Sequence, residues 1–195
     1  MTNYDDIEAL VLLEIDGLAR AVRLHDAALK KAPVKVLASA PVSPGKAILI
    51  FSGEVAAVEE ARATCLELAG SRLLDDLYLP GVHRDVAAAF HGERRPRGEQ
   101  ALAVIETETA ASAIVAADAA CKCTPVAVGR LHLANGFGGR GFFTLWGEQH
   151  ELEAALQAAH ESIGDKLLDS ELIAAPHDEL EDMLFSRPWP LDPTH

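Results

Sequence analysis

The stretch ALVLLEIDGLARAVRLHDAALKKAPV, beginning at Ala9, returns 92 positions later as ALAVIETETAASAIVAADAACKCTPV from Ala101. Roughly eleven of about twenty-six positions are identical, above what an Ala/Leu-rich composition gives by chance. Matched pairs include Leu10/Leu102, Glu14/Glu106, Asp26/Asp118, Lys30/Lys122 and Pro33/Pro125. After a two-residue insertion the match resumes at a spacing of 94, pairing Gly53-Glu54 with Gly147-Glu148, Gly70 with Gly164, Leu73-Leu74-Asp75 with Leu167-Leu168-Asp169, and His83 with His177. A unit of about 90 residues is a whole small domain, far longer than a solenoid repeat. The chain is therefore expected to be two copies of one domain, each small enough to need a partner surface for its core.

Composition excludes several function classes. The net charge of −13 argues against nucleic-acid binding, which normally needs a basic face. The one basic cluster, Arg94-Arg95-Pro96-Arg97, lies between the copies and reads as a solvated linker. No apolar run approaches 18 residues, and the first residues, MTNYDD, are acidic where a signal peptide would be basic. Three cysteines, an odd number, read as reduced thiols. The expectation is a protein of the cytoplasm without membrane contact.

Within one copy, residues 9–14 form a short apolar strand and 18–31 a helix with apolar positions Leu18, Ala21, Val22, His25, Ala28 and Leu29. Pro33 ends it, and strands follow at 34–40 and 47–52 around the turn Pro41-Val42-Ser43-Pro44-Gly45. A second helix carries Val55, Val58, Ala61, Cys65 and Ala69 and stops at Gly70; a strand over 73–79 and a short helix over 84–90 close the unit. The second copy repeats this with strands at 101–106, 126–133, 141–146 and 167–173 and helices at 110–122 and 149–163. The order defines an α+β fold of two tandem ferredoxin-like (split βαβ) domains, each an antiparallel four-stranded sheet with helices on one face. The boundaries are 5–91 and 100–186, with a linker over 92–99 and a Pro-rich tail over 187–195.

In their order and spacing these elements resemble the bacterial microcompartment (BMC) shell domain. The family run of a strand like A-L-G-x-I-E-T, a D-A-x-x-K helix, a glycine-containing pore loop, a strand ending in R-G-D or G-E, an Ala-rich helix ending in Gly and a terminal strand leading to His reads here as Ala101-Leu102-Ala103-Val104-Ile105-Glu106-Thr107, Asp118 to Lys122, Gly138-Gly139, Gly147-Glu148, Gly164 and Pro176-His177. The first copy supplies Ala9-Leu10, Glu14, Asp26 to Lys30, Gly45, Gly53-Glu54, Gly70 and His83. The resemblance covers nearly all of both copies and points to the tandem, unpermuted subfamily. It implies a structural shell protein and not an enzyme, with three chains forming a six-domain pseudohexameric disc. Such discs tile into shell facets beside other shell proteins, hexamers and pentamers. Asp26, Lys30, Asp118 and Lys122 are then expected near disc edges. Pro33 and Pro125 stand where the family often has Asn, and Gly81 and Ala175 where it has Arg.

In such a disc the turn between the second and third strands faces the axis. Ser43, Pro44, Gly45 and Lys46 of one copy and Asn135, Gly136, Phe137, Gly138, Gly139 and Arg140 of the other are the expected pore lining for small metabolites. Lys46 and Arg140 repeated threefold would either form a basic ring favouring small anions or stand as exposed strand-edge bases paired with nearby acids. Phe137 is expected either to plug the hole or to pack down on its own sheet. The loop also fits G-x-G-x-x-G from Gly136 to Gly141, but that fingerprint requires a following helix, and Phe142 to Trp146 reads as a strand. Cys121 and Cys123, two apart on a helix, face different ways, and neither pore loop holds a cysteine, so no metal or cofactor is expected. Two rival readings share the fold: a tandem small-molecule-sensing regulatory protein, and an α+β-barrel enzyme using a His.

Overall fold

The computed structural model describes residues 7–90, 101–178 and 180. The expected linker, its arginine cluster and the Pro-rich tail lie outside the described residues. The first copy runs β1 (Ala9–Asp16), α1 (Leu18–Lys31), β2 (Lys35–Val42), β3 (Lys46–Gly53), α2 (Val55–Ala69), β4 (Leu73–Pro80) and α3 (Arg84–Phe90). The second runs β5 (Ala101–Thr107), α4 (Ala110–Cys123), β6 (Ala127–Leu133), β7 (Gly141–Gly147), α5 (Gln149–Ile163) and β8 (Leu167–Ile173). The two sheets have the orders β2-β3-β1-β4 and β6-β7-β5-β8, and every pairing is antiparallel. Both copies also share a register shift near the end of the central strand, at Glu14/Ile15 and Glu106/Thr107. The ferredoxin-like duplication expected from the sequence is the fold.

Alternation along β1 sends Ala9, Val11, Leu13 and Ile15 to one face, where they pack with Leu49, Phe51, Ala21, Leu24, Ala28, Val58, Ala61 and Cys65 from β3, α1 and α2. The opposite face, Leu10, Leu12, Ile48, Ile50 and Leu77, is covered by the second copy. These residues share one buried cluster with Ala110, Ile114, Ala117 and Cys121 of α4 and with Ala103, Ile105, Phe143 and Leu145 of the second sheet. Helix α4 therefore lies between two sheets. Its sequence, AASAIVAADAACKC, suits that place, because small residues on every side let two sheets approach one helix. Helix α3 reaches from the first copy onto β6 and α4. The two domains are joined by a continuous core across this seam.

Helix α1, the counterpart of α4, differs. The apolar stripe expected on it divides into two faces. Ala21, Leu24 and Ala28 turn inward to their own sheet, while Leu18, Val22 and Leu29 stand 45%, 56% and 51% exposed. Their counterparts in α4 are Ala110, Ile114 and Cys121, all buried in the seam.

Candidate pore and assembly surfaces

The two turns expected at a pore lie side by side. In the β2–β3 turn, Ser43, Pro44 and Gly45 are exposed, Gly45 takes φ +75°, and the Ser43–Pro44 peptide is cis. In the β6–β7 loop, Ala134, Gly136, Gly138 and Gly139 all take positive φ. Gly139 is where the turns meet: a Cβ there would come within 3.1 Å of Ser43 O, 3.3 Å of Lys46 Nζ and 3.4 Å of Pro44 Cδ. A side chain at 139 would push the turns apart.

The glycine-rich loop is closed by its own contacts. Ala134 N donates to Arg140 O at 3.1 Å, Arg140 N to Phe137 O at 3.0 Å, and His132 Nε2 lies 2.7 Å from Asn135 O. The His132 ring stacks on Phe142 with centroids 4.7 Å apart, and Phe137 meets Phe142 edge-on at 5.5 Å. Phe137 thus packs down on its own sheet, half-buried, in an aromatic cluster backed by the Arg130 guanidinium 5.3 Å from the Phe142 centroid. Burial holds the His132 pKa below its ordinary value of 6.5, against the opposing pull of the Asn135 carbonyl.

The two basic residues beside the turns are unlike. Arg140 is exposed and forms no ion pair among the described residues. The Lys46 ammonium is three-quarters covered and lies 3.5 Å from the fully buried Glu14 carboxylate. Its charge answers Glu14, so the positive charge presented at the turns comes from Arg140.

Glu14 belongs to a polar network in the seam that the sequence reading missed. Its Oε1 accepts from Ala111 N at 3.2 Å, so a carboxylate of the first sheet meets the N-terminal turn of α4. Desolvation raises the Glu14 pKa, while the Ala111 amide and Lys46 oppose the rise. Asp75 of β4 accepts from Thr109 Oγ1 at 2.7 Å and from Lys166 Nζ at 2.7 and 2.8 Å. At the other end of α4, Asp118 Oδ1 accepts from His83 N at 2.7 Å, and Lys122 Nζ donates to Gly81 O at 2.6 Å. The duplication carried a usable signal: Glu14 and Glu106 are acids inside apolar strands, repeated in both copies.

The two D-x-x-x-K pairs therefore share local geometry and differ in setting. Asp26 and Lys30 pair at 2.7 Å with both side chains open to solvent. Asp118 pairs with Lys122 at 2.5 Å, with the Asp118 side chain buried against the first domain and the Lys122 side chain about half exposed. Elsewhere chemistry is sparse. Among the described residues no group of three or more His, Cys, Asp or Glu side chains is placed to hold a metal. The G-x-G-x-x-G segment runs into β7, which offers no helix N-terminus to a phosphate. No helix among the described residues is long and apolar enough to cross a membrane.

The fold is a duplicated split βαβ unit whose halves are fused through a buried helix, and the match of the BMC domain model to residues 9–82 and 101–176 makes it a tandem-domain protein of the microcompartment shell class. The chain belongs to that family and is a bacterial microcompartment shell protein. It is 37% identical over 175 residues to the shell protein PduT of Citrobacter freundii, covering 89% of this chain and 95% of that protein. A 55-residue stretch, 28% of this chain and 34% of the relative, is 44% identical to the shell protein EutK of Salmonella typhimurium. Among solved structures, a microcompartment protein from Desulfitobacterium hafniense superposes with a TM-score of 0.82 at 37% identity, covering 90% of this chain and 98% of that one. A fused permuted hexameric shell protein shares the fold, with a TM-score of 0.59, 23% identity and coverage of 79% and 80%.

Proposed function

We propose that three copies of the chain close into a pseudohexameric ring that tiles into a shell facet and carries a threefold pore for small metabolites. The observation that supports this most strongly is the contrast between α1 and α4. One chain contains the seam between its first sheet and α4, and it leaves α1 with the matching face uncovered. Leu18, Val22 and Leu29 are the counterparts of seam residues, and on the second sheet the matching outer face is left open in one half only, where Val104, Glu106 and Phe142 are half-buried. A head-to-tail repetition of the same contact either closes a ring or grows a filament. In a closed ring of three chains, the second and first domains of successive chains meet as the two domains of one chain do, giving six domains around the axis.

In that ring Ser43, Pro44, Gly45, Asn135, Gly136, Gly138 and Arg140 line the opening, while Gly139 is buried where the two turns meet and Phe137 and Lys46 turn back into the protein. Three Arg140 guanidinium groups then face the axis and favour anionic metabolites. Lys30 and Lys122, each at the end of a helix, serve contacts between neighbouring discs, including hexamers and pentamers of other shell proteins in the bacterial cytoplasm. The role is structural and non-enzymatic. Native mass spectrometry of the full chain tests the ring: a species of three times the 20.8 kDa chain mass is expected. Only monomers and dimers at micromolar concentration would refute it.

A further inference from the structure

The N-terminal turn of α1 is built differently from that of α4, and the difference points outward. Helix α4 begins with a capping box in which Thr109 and Ser112 satisfy each other's backbone amides. At the matching positions α1 has Gly17 and Arg20, with no side-chain cap and no acid in its first turn. Its open amides therefore lack the partners that α4 draws from its own sequence. Around this turn lies a surface pocket of about 360 Å³ lined by Asp16, Gly17, Ala19, Arg20, Arg23 and Arg72. Three of the six are arginines, on a chain of net charge −13. Arg20 Nη1 is engaged with Leu68 O at 2.8 Å, and Arg72 Nη1 lies 3.3 Å from the exposed Asp16 carboxylate.

The chain itself holds the occupied version of this site. At the N-terminus of α4, Glu14 accepts from Ala111 N, and Asp75 is held by Lys166 and Thr109. Carrying the repeat spacing across, Ala19 stands for Ala111, Arg72 for Lys166, Glu106 for Glu14 and Asp169 for Asp75. Glu106 is half-buried and Asp169 exposed, on the half of the second sheet's outer face that also carries half-buried Val104 and Phe142. Farther along this face Leu102, Thr144 and Trp146 are already covered.

We propose that the arginine-lined pocket at the N-terminus of α1 is the receptor for Asp169 and Glu106 of a second copy of this chain. Asp169 pairs with Arg72, and the Glu106 carboxylate accepts from the first-turn amides of α1. This contact rests on the ring proposed above and gives it a polarity. In the seam within a chain, α4 largely caps itself and needs one lysine. Between chains the cap is supplied by the partner, and arginine, with its two-pronged fork, replaces lysine. The neighbouring chain completes the helix, so the positive pocket and the acidic sheet face reject each other's like copies and admit only head-to-tail association.

The test is a charge exchange in the full chain. Arg72→Glu and Asp169→Arg are each introduced alone and then together, and the half-assembly concentration is read by sedimentation equilibrium. Both positions are exposed in the single chain, so each variant should keep the parent's circular dichroism and melting temperature as a monomer. Each single variant is expected to raise the half-assembly concentration at least tenfold, and the double variant to return it to within about threefold of the parent. Parent assembly is also expected to weaken with added sodium chloride. Single variants that assemble like the parent, or a double variant that recovers nothing, would overturn the contact. Inorganic phosphate raising the monomer melting temperature, with assembly indifferent to both swaps, would assign the pocket to a free anion instead. A parent chain that stays monomeric at every concentration refutes the ring and this contact together. A ring indifferent to both charges refutes the contact alone.

Discussion

Val22 and Ile114 occupy equivalent positions on α1 and α4, yet their substitution by Ala should have opposite consequences. Ile114 is fully buried between the two sheets, so Ile114→Ala leaves a cavity in the seam and should cost about 2–5 kcal/mol of chain stability. Val22 is 56% exposed, and Val22→Ala should change the stability of the isolated chain by no more than about 0.5 kcal/mol. Its effect should appear on assembly. Removing two methyl groups at ~0.8 kcal/mol each, with a little over half of that burial still outstanding in the single chain, takes ~0.9 kcal/mol from each contact between chains. A ring has three such contacts, so trimerisation loses ~3 kcal/mol, or roughly 100-fold in the association constant. Because trimer formation depends on the square of the free concentration, the half-assembly point moves roughly tenfold. Sedimentation equilibrium measures that shift, and thermal unfolding of dilute monomer measures stability. The reasoning fails if Val22→Ala lowers the melting temperature as Ile114→Ala does, or leaves assembly unmoved.

Glu14→Gln should change the pH dependence of stability rather than abolish folding. Burial raises the Glu14 pKa above its ordinary 4.5, so the stability tied to its neutral form is fully present below 4.5 and lost as pH rises through the raised value. The Gln variant keeps an acceptor for Ala111 N and escapes that loss. Its advantage over the parent should be absent at low pH and grow above 4.5; a difference independent of pH would contradict this. Thiol labelling gives a second check: Cys65 is buried, its pKa pushed up to about 11, and Cys121 is buried, so Cys123 alone should react quickly in the native chain. Fast modification of Cys65 would mean that the first core opens far more readily than its packing implies. The Gly139→Ala variant should lower the melting temperature by a few degrees, since φ +85° and the 3.1 Å approach to Ser43 O both oppose a Cβ. An unchanged value would mean that the two turns do not hold each other.

The architecture was legible because the copies corroborate each other. The four strands and two long helices expected in one copy were expected again in the other, and the shared D-x-x-x-K and Gly-Glu positions fixed the register between halves. The two faces of α1 were not legible in the same way. Helical spacing identifies apolar positions, and both Ala21 and Val22 satisfy it; which of them meets its own sheet depends on how the helix rolls. The better signal lay in α4, whose small residues on all sides mark a helix buried twice. At the turns, equivalent positions in the repeat placed Lys46 and Arg140 as a pair, while the structure separates them through Glu14, an acid whose burial depends on a helix 97 residues away. Glycine content made the β6–β7 loop look permissive, yet His132, Phe137 and Phe142 fasten it to the sheet. Those contacts join residues whose alternation alone does not say which side chains meet.

The central claim is that this shell protein completes, between chains, the seam it already contains within one. Electron microscopy of the purified full chain tests it most directly. The account predicts six-lobed discs with threefold symmetry, α1 of each chain seated on the second sheet of its neighbour, and the two unlike turns alternating around a central opening. Discs with α1 facing solvent, or a population of monomers and dimers without any six-lobed particle, would contradict it.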